Sequence, residues 1–122
     1  MTQVTVRDLM DLLPEFFLPK AALDSQAVIF FDLDGENGGQ WIVTIDKGQC
    51  TVVEGQSGHP DLTVRANAQD VLDMFSGAMD PTRAYLTGKL QLSGNMSLAL
   101  RLSGFFEVDR ERLKSFRRGN QR

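Results

Sequence analysis

The sequence predicts an α+β domain built on an antiparallel-rich sheet, on three observations. Short runs rich in branched and aromatic residues lie at 27–34, 41–45, 50–53 and 62–65, separated by dense turn signals. From Ala68 the apolar period changes from two to three and four, as Val71, Leu72 and Phe75 show. Finally, 122 residues with 42% hydrophobic and 24% charged side chains suit one domain with one core, expected to bury roughly two thirds of its unfolded surface.

The elements follow in order. Thr5-Val-Arg-Asp8 starts a helix, the Thr5 hydroxyl accepting from the third helical amide and Asp8 facing the positive end of the dipole. Val6, Leu9, Met10 and Leu13 form its apolar stripe. Pro14 opens a second short helical piece through Leu18, and Pro19 to Leu23 a third. Ala27 to Asp34 is a strand whose two faces both begin apolar, which places it inside the sheet. Gly35-Glu-Asn-Gly-Gly39 turns the chain into Trp41-Ile-Val-Thr-Ile45 as a hairpin, and Asp46-Lys-Gly48 turns it again into Cys50-Thr-Val-Val53. With Leu62-Thr-Val-Arg65 as a fourth strand, an antiparallel meander is expected. Asn67 caps a helix from Ala68 to Phe75, and Pro81 opens another through Leu86 that ends at Gly88.

Charge and cysteine content narrow the functional classes. A formal charge of −3 disfavours nucleic acid. Residues 1–106 carry 13 acids and 7 bases, whereas residues 107–122 carry 3 acids and 6 bases. Arg110, Arg112, Lys114, Arg117 and Arg118 of that tail suit a helix end complementing its dipole before a frayed terminus, ahead of transient contact with an anionic membrane surface or an acidic partner. Cys50 is the single cysteine, so no internal disulfide is expected. No apolar run approaches the roughly 20 residues of a membrane span, and the opening residues mix charges with apolar positions, so a cytoplasmic protein is expected.

Several chemical motifs fail on spacing. Ser57, His59 and Asp61 are the residue types of a triad, but alternate positions of an extended loop stand nearly 7 Å apart, too far to bond in sequence. Asp32-Leu-Asp-Gly-Glu36 hints at a calcium loop, yet Asn37 stands where glycine belongs and Val43 where the closing carboxylate belongs. One histidine and one cysteine far apart support no zinc cluster. No catalytic residue, metal or cofactor is expected.

After Gly88, Leu90, Leu92, Met96, Leu98, Leu100 and Leu102 all fall on even positions around Gly94-Asn95, and pattern alone draws two strands. That stretch, with Phe16 before Pro-Lys-Ala-Ala-Leu23, the glycine turn before Trp41, Asp61-Leu-Thr63, Asp70, Gly88-Lys-Leu90, Gly94 and Ala99, resembles the sterol carrier protein type-two family. The resemblance spans about residues 16–106, leaving 107–122 as the basic tail of a single-domain chain. It implies a five-stranded, mostly antiparallel sheet with helices packed on one face, enclosing an apolar tunnel for sterols, fatty acids, acyl-coenzyme A or phospholipids. It further implies that the strand ends near Ser93 and that a helix begins after Gly94. Such a helix sets Leu98, Leu102 and Phe105 on one side and Met96 and Leu100 on the other, and so needs two apolar neighbours.

The expected function is non-enzymatic lipid binding or transfer. The expected ligand contacts are Phe75, Met79, Tyr85, Leu86, Met96, Leu100, Phe105 and Phe106, on the late helices that roof the sheet. Flexible methionines suit variable acyl chains; the same residues also suit an ordinary core. The alternative is an interaction or dimerisation module, accessory to a larger enzyme or biosynthetic complex, whose two-faced helix buries against a partner or a second copy.

Overall fold

The computed structural model describes residues 4–22 and 24–115. Its first helix, α1 (Val6–Phe16), begins at a capping box: the Asp8 amide donates to the Thr5 hydroxyl and the Thr5 amide to the Asp8 carboxylate. The expected break at Pro14 is absent, and the helix runs through it. Lacking an N–H, Pro14 leaves the Met10 carbonyl without its usual helical donor, and the helix ends two residues later at Phe16. A 3-10 turn follows at Pro19–Ala22.

Five strands form one sheet: β1 (Gln26–Asp34), β2 (Gly39–Asp46), β3 (Gln49–Glu54), β4 (Leu62–Asn67) and β5 (Leu90–Gly94), in spatial order β3-β2-β1-β4-β5. The first three are the expected antiparallel meander. The fourth corrects the expectation: β4 joins the far side of β1, parallel to it, and β5 then pairs antiparallel with β4. Asp61 fixes this junction. Its carboxylate accepts the Val28 amide hydrogen at 2.8 Å, while its own amide donates to the Val28 carbonyl at 2.8 Å.

One face of the sheet is apolar across its three central strands. Ala27, Ile29, Phe31 and Leu33 of β1 align with Trp41, Val43 and Ile45 of β2 and with Leu62, Val64 and Ala66 of β4, and all are buried. Helix α1 lies over the β3 side of this face, burying Leu9, Met10 and Leu13. Arg7 secures it there, reaching Glu54 at 2.6 Å with its guanidinium over the Trp41 ring. The late helices cover the β4–β5 side: α2 (Ala68–Ser76), α3 (Pro81–Leu86) and α4 (Met96–Leu102). A 3-10 turn at Ser103–Phe105 leads to α5 (Arg110–Ser115). This last segment is tied back to α1, since the Leu18 amide donates to the Phe105 carbonyl, the Glu107 amide to the Phe16 carbonyl, and Arg112 pairs with Glu15 at 2.8 Å. Of the expected basic tail, Arg112 thus engages a carboxylate, Arg110 and Lys114 lie on α5, and Arg117 and Arg118 fall outside the described residues.

Candidate functional site

Where β4 and β5 pass beneath α2, α3 and α4, the sheet and helices do not close on one another. They leave a cavity of about 500 Å³. Phe31, Val64, Leu90 and Leu92 supply its sheet wall, each the inward member of an alternating strand. Val71, Met74 and Phe75 of α2 face them from one side, and Met96, Ala99, Leu100 and Leu102 of α4 from another.

Local chemistry holds each wall in place. Helix α2 is capped by the Asn67 side chain, which accepts from the Gln69 amide at 2.8 Å, and it ends on Gly77 in the left-handed region. Asp80 caps α3 by accepting from the Thr82 amide, with Pro81 in the first turn. Helix α4 exists because Asn95 is held twice: its amide donates to the Asp61 carbonyl at 2.8 Å, and its side chain accepts from Leu98 at 3.0 Å. These bonds stop β5 at Gly94 and begin the helix, where alternation alone drew a second strand. The inner end of the cavity is braced by aromatic contact. Phe106 stands edge-on to Phe75, with centroids 6.2 Å apart, and tilted against Phe17 at 5.7 Å.

Of the eight residues expected at the ligand, Phe75, Tyr85, Met96, Leu100 and Phe106 line the cavity. Met79, Leu86 and Phe105 do not: Phe105 is buried in the core, Met79 packs against the core from partial exposure, and Leu86 points to solvent at 76% exposure. The exposed rim comprises Tyr85 at 46%, Met96 at 41% and Leu100 at 83%, in contrast to the buried Phe31, Val64 and Val71 within. Sequence reasoning overlooked the sheet wall and Met74, because an inward strand residue over a cavity has the same pattern as one over a filled core.

The polar groups of the lining are few: the Thr82, Tyr85 and Ser103 side chains and the Asp80 carboxylate, which already accepts a helix amide. Such a site can remove an apolar chain from water and offer hydroxyls to a polar end. The sequence-level triad is not assembled, since Asp61 accepts the Val28 amide and His59 stands exposed in its loop. Among the described residues no group of three or more His, Cys, Asp and Glu side chains is gathered to hold a metal ion. None of the described helices is long and apolar enough to cross a membrane. Cys50, on the opposite half of the sheet, is partly buried, and burial pushes its thiol up to about 11.

Residues 18–107 match the model of the SCP-2 sterol transfer family. Hydroxysteroid dehydrogenase-like protein 2 from Pongo abelii is 39% identical over 79 residues, which cover 64% of this chain and 19% of that protein. The chain therefore spans about a fifth of the length of the curated relatives it first matches. The sec-alkylsulfatase Pisa1 from Pseudomonas sp. shares the fold with a TM-score of 0.75 at 17% identity, over 83% of this chain and 16% of that one. Palmitated SCP2L2 from Aedes aegypti, solved in solution, aligns with a TM-score of 0.68 at 24% identity, over 82% of this chain and 92% of its own.

Proposed function

The chain belongs to the SCP-2 sterol transfer family, and from that premise we propose that it binds a lipid-like ligand in the cavity between β4–β5 and the late helices and carries it unreacted. The observation that carries this reading is the cavity itself: about 500 Å³, walled by aliphatic and aromatic side chains with a few hydroxyls. That size falls in the range of roughly 300–1,000 Å³ usual for small-molecule sites. A fatty acyl chain suits it better than a rigid, compact ligand, because Met74 and Met96 reshape around a flexible chain. The palmitated state of the Aedes aegypti protein, which has the same fold, supports this choice of ligand class.

Holding such a chain requires no catalytic group. Each methylene removed from water contributes about 0.8 kcal/mol, so affinity grows with buried length. The contacts we assign to the ligand are Phe75, Tyr85, Met96, Leu100 and Phe106, joined by the strand residues Val64, Leu90 and Leu92. The exposed rim residues Tyr85, Met96 and Leu100 mark the side by which a chain enters.

Native mass spectrometry of protein purified without detergent, followed by denaturing extraction, tests the proposal. A stoichiometric adduct that disappears on extraction is expected, and its mass identifies the ligand class. Protein that stays adduct-free, even after incubation with a fluorescent fatty acid, sinks the reading.

A second reading is favoured by one finding: the relative from Pongo abelii and the Pseudomonas alkylsulfatase carry the matched region as under a fifth of a longer chain. The domain would then serve as an accessory module, presenting its rim to a partner domain or a second copy. Light scattering separates the two, since a monomer that binds the fatty acid fits the carrier, and a dimer that does not bind it fits the module.

A further inference from the structure

We propose that the rim formed by α3 and α4 is a docking surface for an anionic lipid bilayer, which turns the entrance of the cavity toward the membrane. The proposal rests on the lipid-binding reading of that cavity. Five large apolar side chains stand exposed among the described residues, and four of them, Tyr85, Leu86, Met96 and Leu100, lie on these two short helices. Both helices border β5, so the four surround one end of the cavity. Leu86 is the informative member. It neither lines the cavity nor joins the core, so no packing among the described residues accounts for a leucine there.

The charge pattern selects the occupant. Residues 81–106 contain Arg83, Lys89 and Arg101 and no Asp or Glu, in a chain whose formal charge is −3. All three are exposed, and none forms an ion pair among the described residues. Arg101 rests its guanidinium 5.7 Å from the centroid of the Phe105 ring, a contact that leaves the charge unneutralised, and the residue is exposed. Asp80, the carboxylate in the cavity lining, caps α3 at its positive end and keeps its own charge, which the three cations outnumber. Apolar side chains flanked by unpaired cations match the boundary of an anionic bilayer, where leucine and tyrosine enter the headgroup region and arginine and lysine meet phosphates. Each basic residue near such a surface strengthens binding about fivefold at low salt.

Vesicle flotation with the full chain tests this, comparing phosphatidylcholine vesicles with vesicles that also contain phosphatidylserine. The expected result is selective binding to the anionic vesicles that weakens as salt is raised. L86S is expected to weaken it about tenfold, and R83Q/R101Q about fivefold per charge. Both variants are expected to bind a fluorescent fatty acid normally in the absence of vesicles, because none of the three residues lines the cavity. Wild-type protein that ignores anionic vesicles, or binding untouched by L86S and R83Q/R101Q, overturns the proposal. So does binding that is lost only in R117Q/R118Q, which assigns the contact to the C-terminal tail, or a solution dimer dispersed by L86S, which assigns the rim to a second copy. Lost vesicle binding with intact fatty acid binding removes the docking surface alone, whereas failure of the wild type to take up the fatty acid removes the cavity reading beneath it.

Discussion

Single residues decide the cavity at two points, Met96 and Gly94. Met96 occupies the first helical position of α4 with its side chain in the lining. An acidic residue suits that position of a helix, so Met96→Asp is expected to keep the fold while placing a charge in the apolar wall. Its affinity for a fluorescent fatty acid should fall at least tenfold with an unchanged circular dichroism spectrum. Gly94 turns β5 toward α4 at a φ of 114°. A Cβ there collides with the Asp61 carbonyl oxygen, backbone that cannot yield. Gly94→Ala is therefore expected to cost about 2–4 kcal/mol, a fall of roughly 10 °C in the thermal midpoint. Cys50 carries a prediction about pH. Burial raises its thiol from 9.0 to about 11, so at pH 8 the reactive thiolate is about a hundredfold scarcer than in the unfolded chain. Alkylation by iodoacetamide should be slower by about that factor in the native protein and should keep accelerating with pH beyond 9. Equal rates in native protein and in urea would contradict the burial.

At the scale of elements, α4 is the part whose existence hangs on side-chain chemistry. Seven residues form too short a helix to persist unaided. Asn95 supplies the missing support through its two hydrogen bonds, to Leu98 and to Asp61. Asn95→Ala should destabilise the protein by about 1 kcal/mol. More tellingly, the Leu98 and Ala99 amides should exchange hydrogen faster while those of β1 and β2 stay protected, because the damage is confined to one wall of the cavity. Uniform acceleration across the sheet would show that α4 is not a separable lid. Asp61 illustrates how much one strand junction carries: its carboxylate sets β4 beside β1, and its carbonyl starts α4. The same aspartate looked, in sequence, like a loose member of a Ser-His-Asp set.

At the scale of the whole molecule, the sheet is shared by two coverings of different character. Helix α1 packs down on its half, with Leu9 and Leu13 inaccessible. The late helices leave their half hollow and carry the exposed apolar side chains at its edge. A ligand that fills the hollow binds only the folded chain, so it must raise the thermal midpoint. At a hundred times its dissociation constant a fatty acid should contribute about 2.7 kcal/mol, roughly 10 °C for a domain of this size. At the same fatty acid concentration the shift should fall to about half or less in Met96→Asp. A midpoint indifferent to fatty acid in the wild type would mean that the hollow does not take it up.

What the sequence determined by itself was local. Alternation in residues 27–33 and 41–45, the glycine turns between them, the helix start at Thr5, the cap at Asn67 and the helix start at Pro81 each depend on a few neighbouring residues, and each reappears in the fold. Alternation is blind to direction, however, because a strand shows the same inward side chains whether its neighbour runs parallel or antiparallel. The parallel join of β4 to β1 therefore waited on Asp61 bonding to Val28, 33 residues away. Gly88 to Phe106 shows the same division. Pattern gave it two strands, the family resemblance made it a strand and a helix, and the Asn95–Asp61 bond is the tertiary contact that enforces the second outcome. The cavity belongs wholly to the tertiary level. Phe105 and Phe106 are adjacent in sequence, identical in chemistry and both buried, yet only Phe106 lines the hollow, because an empty space is a property of how layers fail to meet and no stretch of chain encodes it alone.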